Sequence, residues 1–434
     1  RRRSGNSRCQ PRDKPRTREP IVPPYTKRVL SLPEYPLAKI PEQKRQLIAR
    51  GVDVIDLGAG DADLSPPPAV IERITEAVRI PTMSRYGFAL GLVEYREAVA
   101  RFMKRRFGQD FDPLKEIIPL IGSKEGLSHL ALAYLEPGDV SIVPEPGYNS
   151  YLGGTLLSDA VPYKYPLRPE DNFLINLDKI PADVLKKAKI LYLNYPNNPT
   201  SAIAPKEYLE DVVRRCKELD ILLVYDNAYS ELAYDGYVPP SIFEIEGARD
   251  VAIEFHSMSK TYNMTGWRCG WACGKPEFVA ALAKVKSFVD TGTFMGIQAA
   301  AATALDKCAD WIPTNVAEFK RRRDAAVEAF NEAGFPCANP KATMYIWCPL
   351  PKNIPSAVFG ERLLQDEGVI VLPGSLFGPG GEGFFRVSFI VSPERLREAA
   401  TRAGRVLKKL VAQAGGDDTR AGRRPEPVAG MARA

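Results

Sequence analysis

The sequence predicts an α/β protein with a mostly parallel central sheet and a smaller α+β domain drawn from both chain ends. Three observations carry this. Five short runs rich in Ile, Val, Leu and Tyr recur, at Ile117–Ile121, Val140–Val143, Ile190–Leu193, Ile221–Tyr225 and Val251–Phe255. Helical patterns lie between them, as at Glu125–Leu135 and Pro205–Leu219. Continuously apolar strands separated by amphipathic helices belong to a parallel sheet covered on both faces. Third, residues 20–65 and 311–414 fall outside this alternation. The second stretch predicts two helices (Trp311–Ala333 and Pro355–Glu367), a strand-rich middle and a last helix (Pro393–Ala412). The expected division is a disordered basic arm at 1–19, a segment at 20–65 contributing to the small domain, a large domain at 66–310, the rest of the small domain at 311–414 and a disordered tail at 415–434.

Each of the five strands runs straight into a distinctive polar group. Gly122-Ser123-Lys124-Glu125-Gly126 follows the first and opens a helix; Pro144-Glu145-Pro146-Gly147-Tyr148 follows the second. Asn194-Tyr195-Pro196-Asn197-Asn198-Pro199-Thr200 follows the third, and Asp226-Asn227-Ala228-Tyr229 the fourth. Ser257-Met258-Ser259-Lys260 follows the fifth, with Arg268 eight residues beyond Lys260. Ligands of open α/β sheets bind beyond the carboxyl ends of the strands. Five such endings in order form a constellation where a single one would be an ordinary turn.

Composition narrows the chemistry. The chain has 434 residues and a net charge of +6. Residues 1–19 carry seven Arg and one Lys against Asp13 and Glu19, and 415–434 carry four Arg against three acids, so the stretch between is close to neutral. The basic balance lies in the tails and gives no argument for nucleic-acid binding by the folded part. Both tails are poor in large apolar residues. Arg1 rather than Met at the start is what a fragment or a processed form gives, and the Arg-rich arm resembles a transit peptide in composition only. No apolar run approaches the roughly 20 residues of a membrane helix. The seven cysteines form no CxxC pair, and only His129 and His256 are present, which argues against a zinc site and a Ser-His-Asp triad. Free thiols in a reducing cytoplasm are the expected state.

Lys260 is the pivotal residue. A lysine amine at a strand end can condense with an aldehyde. The hydroxyls of Ser257 and Ser259 and the guanidinium of Arg268 suit a phosphate dianion. Pyridoxal 5′-phosphate carries both groups.

With these segments in order, the chain resembles the class I aminotransferases of fold type I, the aspartate aminotransferase superfamily, from about Tyr35 to Leu410. The most specific pieces are Asn198-Pro199-Thr200, Asp226-x-Ala228-Tyr229 and Ser257-x-Ser259-Lys260 with Arg268. Gly122 to Gly126, Leu193 to Thr200 and Phe255 to Arg268 are more closely similar to LL-diaminopimelate aminotransferases. The resemblance implies a fold type I enzyme that binds pyridoxal 5′-phosphate and passes nitrogen from an amino acid to a 2-oxo acid by a ping-pong route. LL-2,6-diaminopimelate and 2-oxoglutarate are the implied substrates, in lysine and diaminopimelate biosynthesis. A broad aspartate- or alanine-type aminotransferase is the near alternative. A C–S lyase and an aminotransferase-like regulator are more distant ones. About 19 residues before the domain are too few for a helix-turn-helix module.

The resemblance also implies roles. Lys260 holds the cofactor and then moves a proton; Asp226 pairs with the ring nitrogen; Tyr229 and Asn198 bond the 3′-oxygen; Tyr148 stacks on the ring. Ser123, Lys124, Ser257 and Arg268 hold the phosphate, with Ser259 a weaker candidate. Arg386, in Phe384-Phe385-Arg386-Val387-Ser388, captures the α-carboxylate, joined by Asn194 and by the backbone of Gly60. Tyr86 reaches the phosphate of a neighbouring subunit, which implies a cytoplasmic homodimer with shared sites, and neither nucleic acid nor membrane as partner. Two departures stand out. The usual Asn-Pro-Thr-Gly is Asn198-Pro199-Thr200-Ser201 here, and the usual Gly-x-Pro-Asp is Gly60-Asp61-Ala62-Asp63. If the turn needs a positive φ, Ser201 must adopt it without glycine's freedom.

Overall fold

A computed structural model describes residues 23–33, 40–61, 63–88 and 90–421, with side chains of the last helix to residue 413. The arm at 1–19, Tyr35, Ala62 and residues 422–434 lie outside the described residues. After a short β1 (Ile55–Asp56), seven strands build the main sheet: β2 (Ile117–Leu120), β3 (Val140–Glu145), β4 (Val161–Pro166), β5 (Ala188–Leu193), β6 (Leu222–Asp226), β7 (Ala252–Ser257) and β8 (Gly270–Gly274). Their spatial order is β2-β8-β7-β6-β5-β3-β4. The pairs from β7 to β4 are all parallel. β8 alone is inverted, antiparallel to both β2 and β7.

The fold is therefore the mostly parallel α/β sheet that the apolar runs predict, and the five predicted runs coincide with β2, β3, β5, β6 and β7 within a few residues. β4 and β8 were not among them. The sequence of β4, Val-Pro-Tyr-Lys-Tyr-Pro, carries two prolines, which only an edge strand tolerates. β8 is short and begins and ends in glycine, so its apolar run is too brief to stand out.

Both faces of the sheet are covered. Along β5, Leu191 and Leu193 enter one core with Phe102, Met103, Leu209 and Val213, while Ile190 and Tyr192 enter the opposite core with Leu127, Leu130 and Leu282. This is the strand period of two between two helical layers. A separate antiparallel sheet, β11-β12-β9, is formed by β9 (Tyr345–Pro349), β11 (Leu372–Pro373) and β12 (Phe384–Ser388), while β10 (Val369–Ile370) pairs with β1 in parallel. The core beside it joins Ile55 and Leu57 to Phe319, Phe330, Phe359, Phe385 and Leu396. Both chain ends thus share one apolar core. The last helix, Pro393–Ala421, continues past Ala412, so residues 415–421 of the expected tail are helical. Among the described residues no helix is long and apolar enough to cross a membrane.

The inversion of β8 matters for the site. Gly270 pairs with Ser257, the last residue of β7. Arg268, just before β8, therefore stands at the same sheet edge as the carboxyl ends of β5, β6 and β7.

Candidate active site

One end of the site is a helix N-terminus. β2 ends at Leu120, and the helix Ser123–Tyr134 starts after Gly122 at φ +70°. A Cβ on Gly122 would fall 2.4 Å from Nη2 of Arg268, so the guanidinium can approach only because the position is glycine. Arg268 Nη1 donates to the Thr265 carbonyl at 3.0 Å, and the Ser257 hydroxyl accepts from the Ser259 amide at 3.2 Å. Ser123, Lys124, Ser257, Ser259, Thr265 and Arg268 line one end of a cavity of about 210 Å³. The N–H groups of the first helical turn, the helix dipole and a cation converge there, which is an anion site.

A buried ion network braces that helix start. Glu125 accepts the Ile121 amide at 3.0 Å and the Lys286 ammonium at 2.7 Å, and Lys286 also reaches Asp290 at 3.1 Å. His129 Nδ1 lies 2.7 Å from the same carboxylate. Burial pushes the Glu125 pKa up, but His129 and Lys286 outweigh it and hold the carboxyl at about 2 against an ordinary 4.5. The depressed value fixes the sign: this stabilisation is complete above pH 4.5 and is lost as pH falls through 2. Lys286→Met leaves the carboxylates without their buried partner, and we expect it to cost about 3–5 kcal/mol in denaturant melts at neutral pH. A loss under about 1 kcal/mol would class the pair with ordinary surface bridges.

At the centre stands Lys260, in the short helix Met258–Thr261 that follows β7. Its Nζ donates to the Gly60 carbonyl. A Cβ on Gly60 would meet the Tyr345 hydroxyl at 2.3 Å and Lys260 Nζ at 3.4 Å, so the three groups converge. Burial lowers the lysine pKa, and Arg386 and Arg268 push the same way against Tyr345 and Asp61. A lysine held this way is nearer to its neutral, nucleophilic form.

Asp226 closes β6. Its Oδ2 accepts from the Tyr151 hydroxyl at 2.7 Å, while Oδ1 is buried with no hydrogen-bond partner among the described residues. Burial raises its pKa to about 6, against the lowering pull of Tyr151 and His256. An unsatisfied buried carboxylate oxygen facing a cavity calls for a donor. Tyr148 lines the same wall, edge-on to Tyr151 at 5.7 Å. Asn194 also lines it, but its amide braces the loop: Nδ2 donates to the Asp226 carbonyl at 2.7 Å and Oδ1 accepts the Asn198 amide at 2.8 Å. Tyr229 shares a hydrogen bond of 3.0 Å with the Tyr345 hydroxyl.

Arg386 comes from the other sheet. It sits on β12 opposite Leu372 and Trp347 and is 4% exposed. Nη1 donates to Asn198 Oδ1 at 2.7 Å, Nη2 to the Gly58 carbonyl at 2.6 Å, and Nε has no partner. The Tyr345 ring lies 4.2 Å from the guanidinium carbon and Phe377 5.0 Å. Among the described residues no carboxylate pairs with it. A buried guanidinium without a countercharge is costly, and an arriving carboxylate would remove that cost.

The structure gathers Gly60, Ser123, Lys124, Tyr148, Asn194, Asn198, Asp226, Tyr229, Ser257, Ser259, Lys260, Arg268 and Arg386 around one cavity. Tyr86 is not among them; it is 72% exposed beside Phe88. Tyr345, Thr265 and the supporting Tyr151 were missed by the sequence reading. Tyr345 lies in a strand of aromatic and apolar residues and gives no local signal. Tyr151 reaches Asp226 only through the fold.

The profile of the class I and II aminotransferases matches residues 52–402. The chain belongs to this family. The aminotransferase is 44% identical over 384 residues to an LL-diaminopimelate aminotransferase of Moorella thermoacetica, covering 88% of this chain and 98% of that one. It is 44% identical to an LL-diaminopimelate aminotransferase of Aquifex aeolicus, over 87% and 98% of the two chains. Among solved structures it is similar to substrate-bound BacF of Bacillus subtilis, with a TM-score of 0.86 and 34% identity over 89% and 98%. A double mutant of Thermus thermophilus aspartate aminotransferase gives 0.82 and 30%, over 89% and 100%. Enzymes of this family depend on pyridoxal phosphate.

Proposed function

We propose that this aminotransferase moves an amino group between LL-2,6-diaminopimelate and 2-oxoglutarate, yielding tetrahydrodipicolinate and glutamate, with pyridoxal 5′-phosphate as cofactor. The observation that carries the reaction class is Arg386, a buried guanidinium in the cavity that holds Lys260, with no countercharge among the described residues. The specific substrate rests on similarity to enzymes of that name over 87–88% of this chain and 98% of theirs.

The residues suit the cofactor. Ser123, Lys124, Ser257 and Arg268 would hold its phosphate at the helix start, Tyr148 would cover its ring, and Tyr229 with Asn198 would hold the ring oxygen. Asp226 Oδ1, buried without a partner, would take the protonated ring nitrogen. When bound, the cofactor supplies an aldehyde that takes the amino group and a ring that accepts the electron pair left at Cα. Arg386 would fix the α-carboxylate bidentately, orienting the Cα–H bond, with the Gly60 backbone alongside. Lys260 Nζ would take the Cα proton and return it to the acceptor carbon, a task its lowered pKa favours.

We also propose a homodimer. Tyr86 and Phe88, whose rings lie 5.8 Å apart, are 72% and 76% exposed. Gly87 lies against Met295, and Thr293 donates to the Leu120 carbonyl at 3.1 Å, so this apolar surface borders the anion-binding end. A second subunit covering it would bring its Tyr86 toward the phosphate. The two cores support a large domain at 66–310 and a small one from 20–65 and 311–414. Free buried thiols at Cys216, Cys269, Cys273, Cys308, Cys337 and Cys348 suit a cytoplasmic setting.

An amino-donor panel with 2-oxoglutarate tests the substrate. LL-diaminopimelate should exceed alanine and aspartate in kcat/KM by at least roughly a hundredfold, because a site built for a distal ammonium and carboxylate strands its own polar groups when they are missing. The meso isomer should be poor, its distal centre being inverted. Comparable rates with aspartate would assign a broad aminotransferase instead.

A further inference from the structure

Two non-glycine residues with left-handed backbone face each other between the main sheet and the small one. Ser201 has φ +59° and Thr343 φ +74°. A β-branched residue in that region is a true outlier, and such strain persists only where the surroundings over-determine it. They do so here. The hydroxyls of Ser201 and Thr343 are 2.7 Å apart. Ser201 Oγ donates to the Tyr345 carbonyl at 2.9 Å, and Thr343 Oγ1 accepts the Tyr345 amide at 3.1 Å. These two bonds set the proton order: the threonine hydroxyl must donate to the serine oxygen, and the serine hydroxyl to the carbonyl. Thr343 is anchored further by its amide on the Leu232 carbonyl at 2.9 Å and by the Tyr234 hydroxyl on its own carbonyl at 2.6 Å.

Each partner sits close in sequence to a group that contacts Arg386. Ser201 ends the turn that presents Asn198, whose Oδ1 takes Nη1 of Arg386. Thr343 precedes Tyr345, whose ring stacks on the same guanidinium. We propose that the Ser201–Thr343 hydroxyl pair is a latch that sets the spacing between Asn198 and Tyr345, and so places Arg386 for its carboxylate. Ser201 and Thr343 are positioning residues, and their role rests on the reading of Arg386 as the carboxylate-binding group.

The test compares purified, cofactor-loaded Ser201→Ala, Ser201→Gly, Thr343→Ala, Thr343→Ser and the Ser201→Ala/Thr343→Ala double variant. Three quantities are read: 2-oxoglutarate affinity by spectral titration, cofactor retention, and Tm. Ser201→Ala should weaken 2-oxoglutarate about tenfold, which corresponds to about 1.4 kcal/mol, with cofactor retention falling far less, because the residues of the phosphate end and Lys260 are untouched. Ser201→Gly accepts the positive φ and folds without strain, yet should lose the same affinity for want of the hydroxyl. Thr343→Ser keeps the hydroxyl and should bind normally. The double variant should be no weaker than either alanine variant, as for two residues acting through one contact. Wild-type affinity in Ser201→Gly, additive losses in the double variant, or equal weakening of 2-oxoglutarate and cofactor would each overturn the latch. A wild-type protein that keeps its cofactor but binds no 2-oxo acid would reject the reading of Arg386 itself, and the latch with it.

Discussion

Lys260→Ala should abolish the covalent link that borohydride fixes between protein and pyridoxal phosphate, and should cut turnover by at least about 10⁴-fold, the upper range for a positioned proton carrier. Among the described residues the cavity is lined by two lysines, of which Lys260 meets Gly60 and Tyr345, whereas Lys124 belongs to the helix start. The anion-binding residues are untouched, so the variant should still take up free cofactor through its phosphate. Mass spectrometry after reduction, with the cofactor-bearing peptide sequenced, decides the matter. A reduced adduct persisting in the variant would move the nucleophile elsewhere.

Asp226→Asn should separate stability from activity. The amide keeps an oxygen for the Tyr151 hydroxyl but carries no charge. Without a carboxylate to hold the ring nitrogen protonated, turnover should fall at least about a thousandfold, or ~4 kcal/mol in barrier. Stability should move the other way. The Asp226 pKa is raised from 3.8 to about 6, chiefly by burial. A raised carboxyl pKa penalises the folded state once the group ionises, so the penalty is absent below 3.8, grows from there to about 6, and is then constant. The cofactor-free variant should therefore exceed the cofactor-free wild type at pH 7 by about 3 kcal/mol, at about 1.4 kcal/mol per tenfold change in acidity. Equal stabilities, or near-normal half-reaction rates, would reduce Asp226 to a turn residue.

Much of the reaction centre was legible because its parts lie at strand ends. Continuous apolar runs mark the strands, and the polar residues that follow, from Ser123 to Arg268, are contiguous with them. Side chains working across the fold were not legible in this way. Tyr151 supports Asp226 from a helix 75 positions earlier in the chain. Tyr345 looks like any strand aromatic until β9 is placed beside Lys260. Nothing in the sequence marks Lys286, yet it is fully buried against Glu125. Asn194 shows the converse: its amide is largely committed to bracing the loop.

By itself the sequence determined the α/β class, the family and the chemical identity of the groups at the sheet edge, because strand period, turn chemistry and contiguous motifs are local properties. Only the tertiary structure decided that Arg386 is buried with no countercharge among the described residues and that Gly60, Tyr345 and Lys260 converge. It likewise decided that Ser201 keeps the left-handed turn by bonding to Thr343 across 142 positions of chain. The reason is physical. Burial, desolvation and hydrogen bonds between distant segments shift pKa values and set distances, and they exist only once the two sheets have packed together.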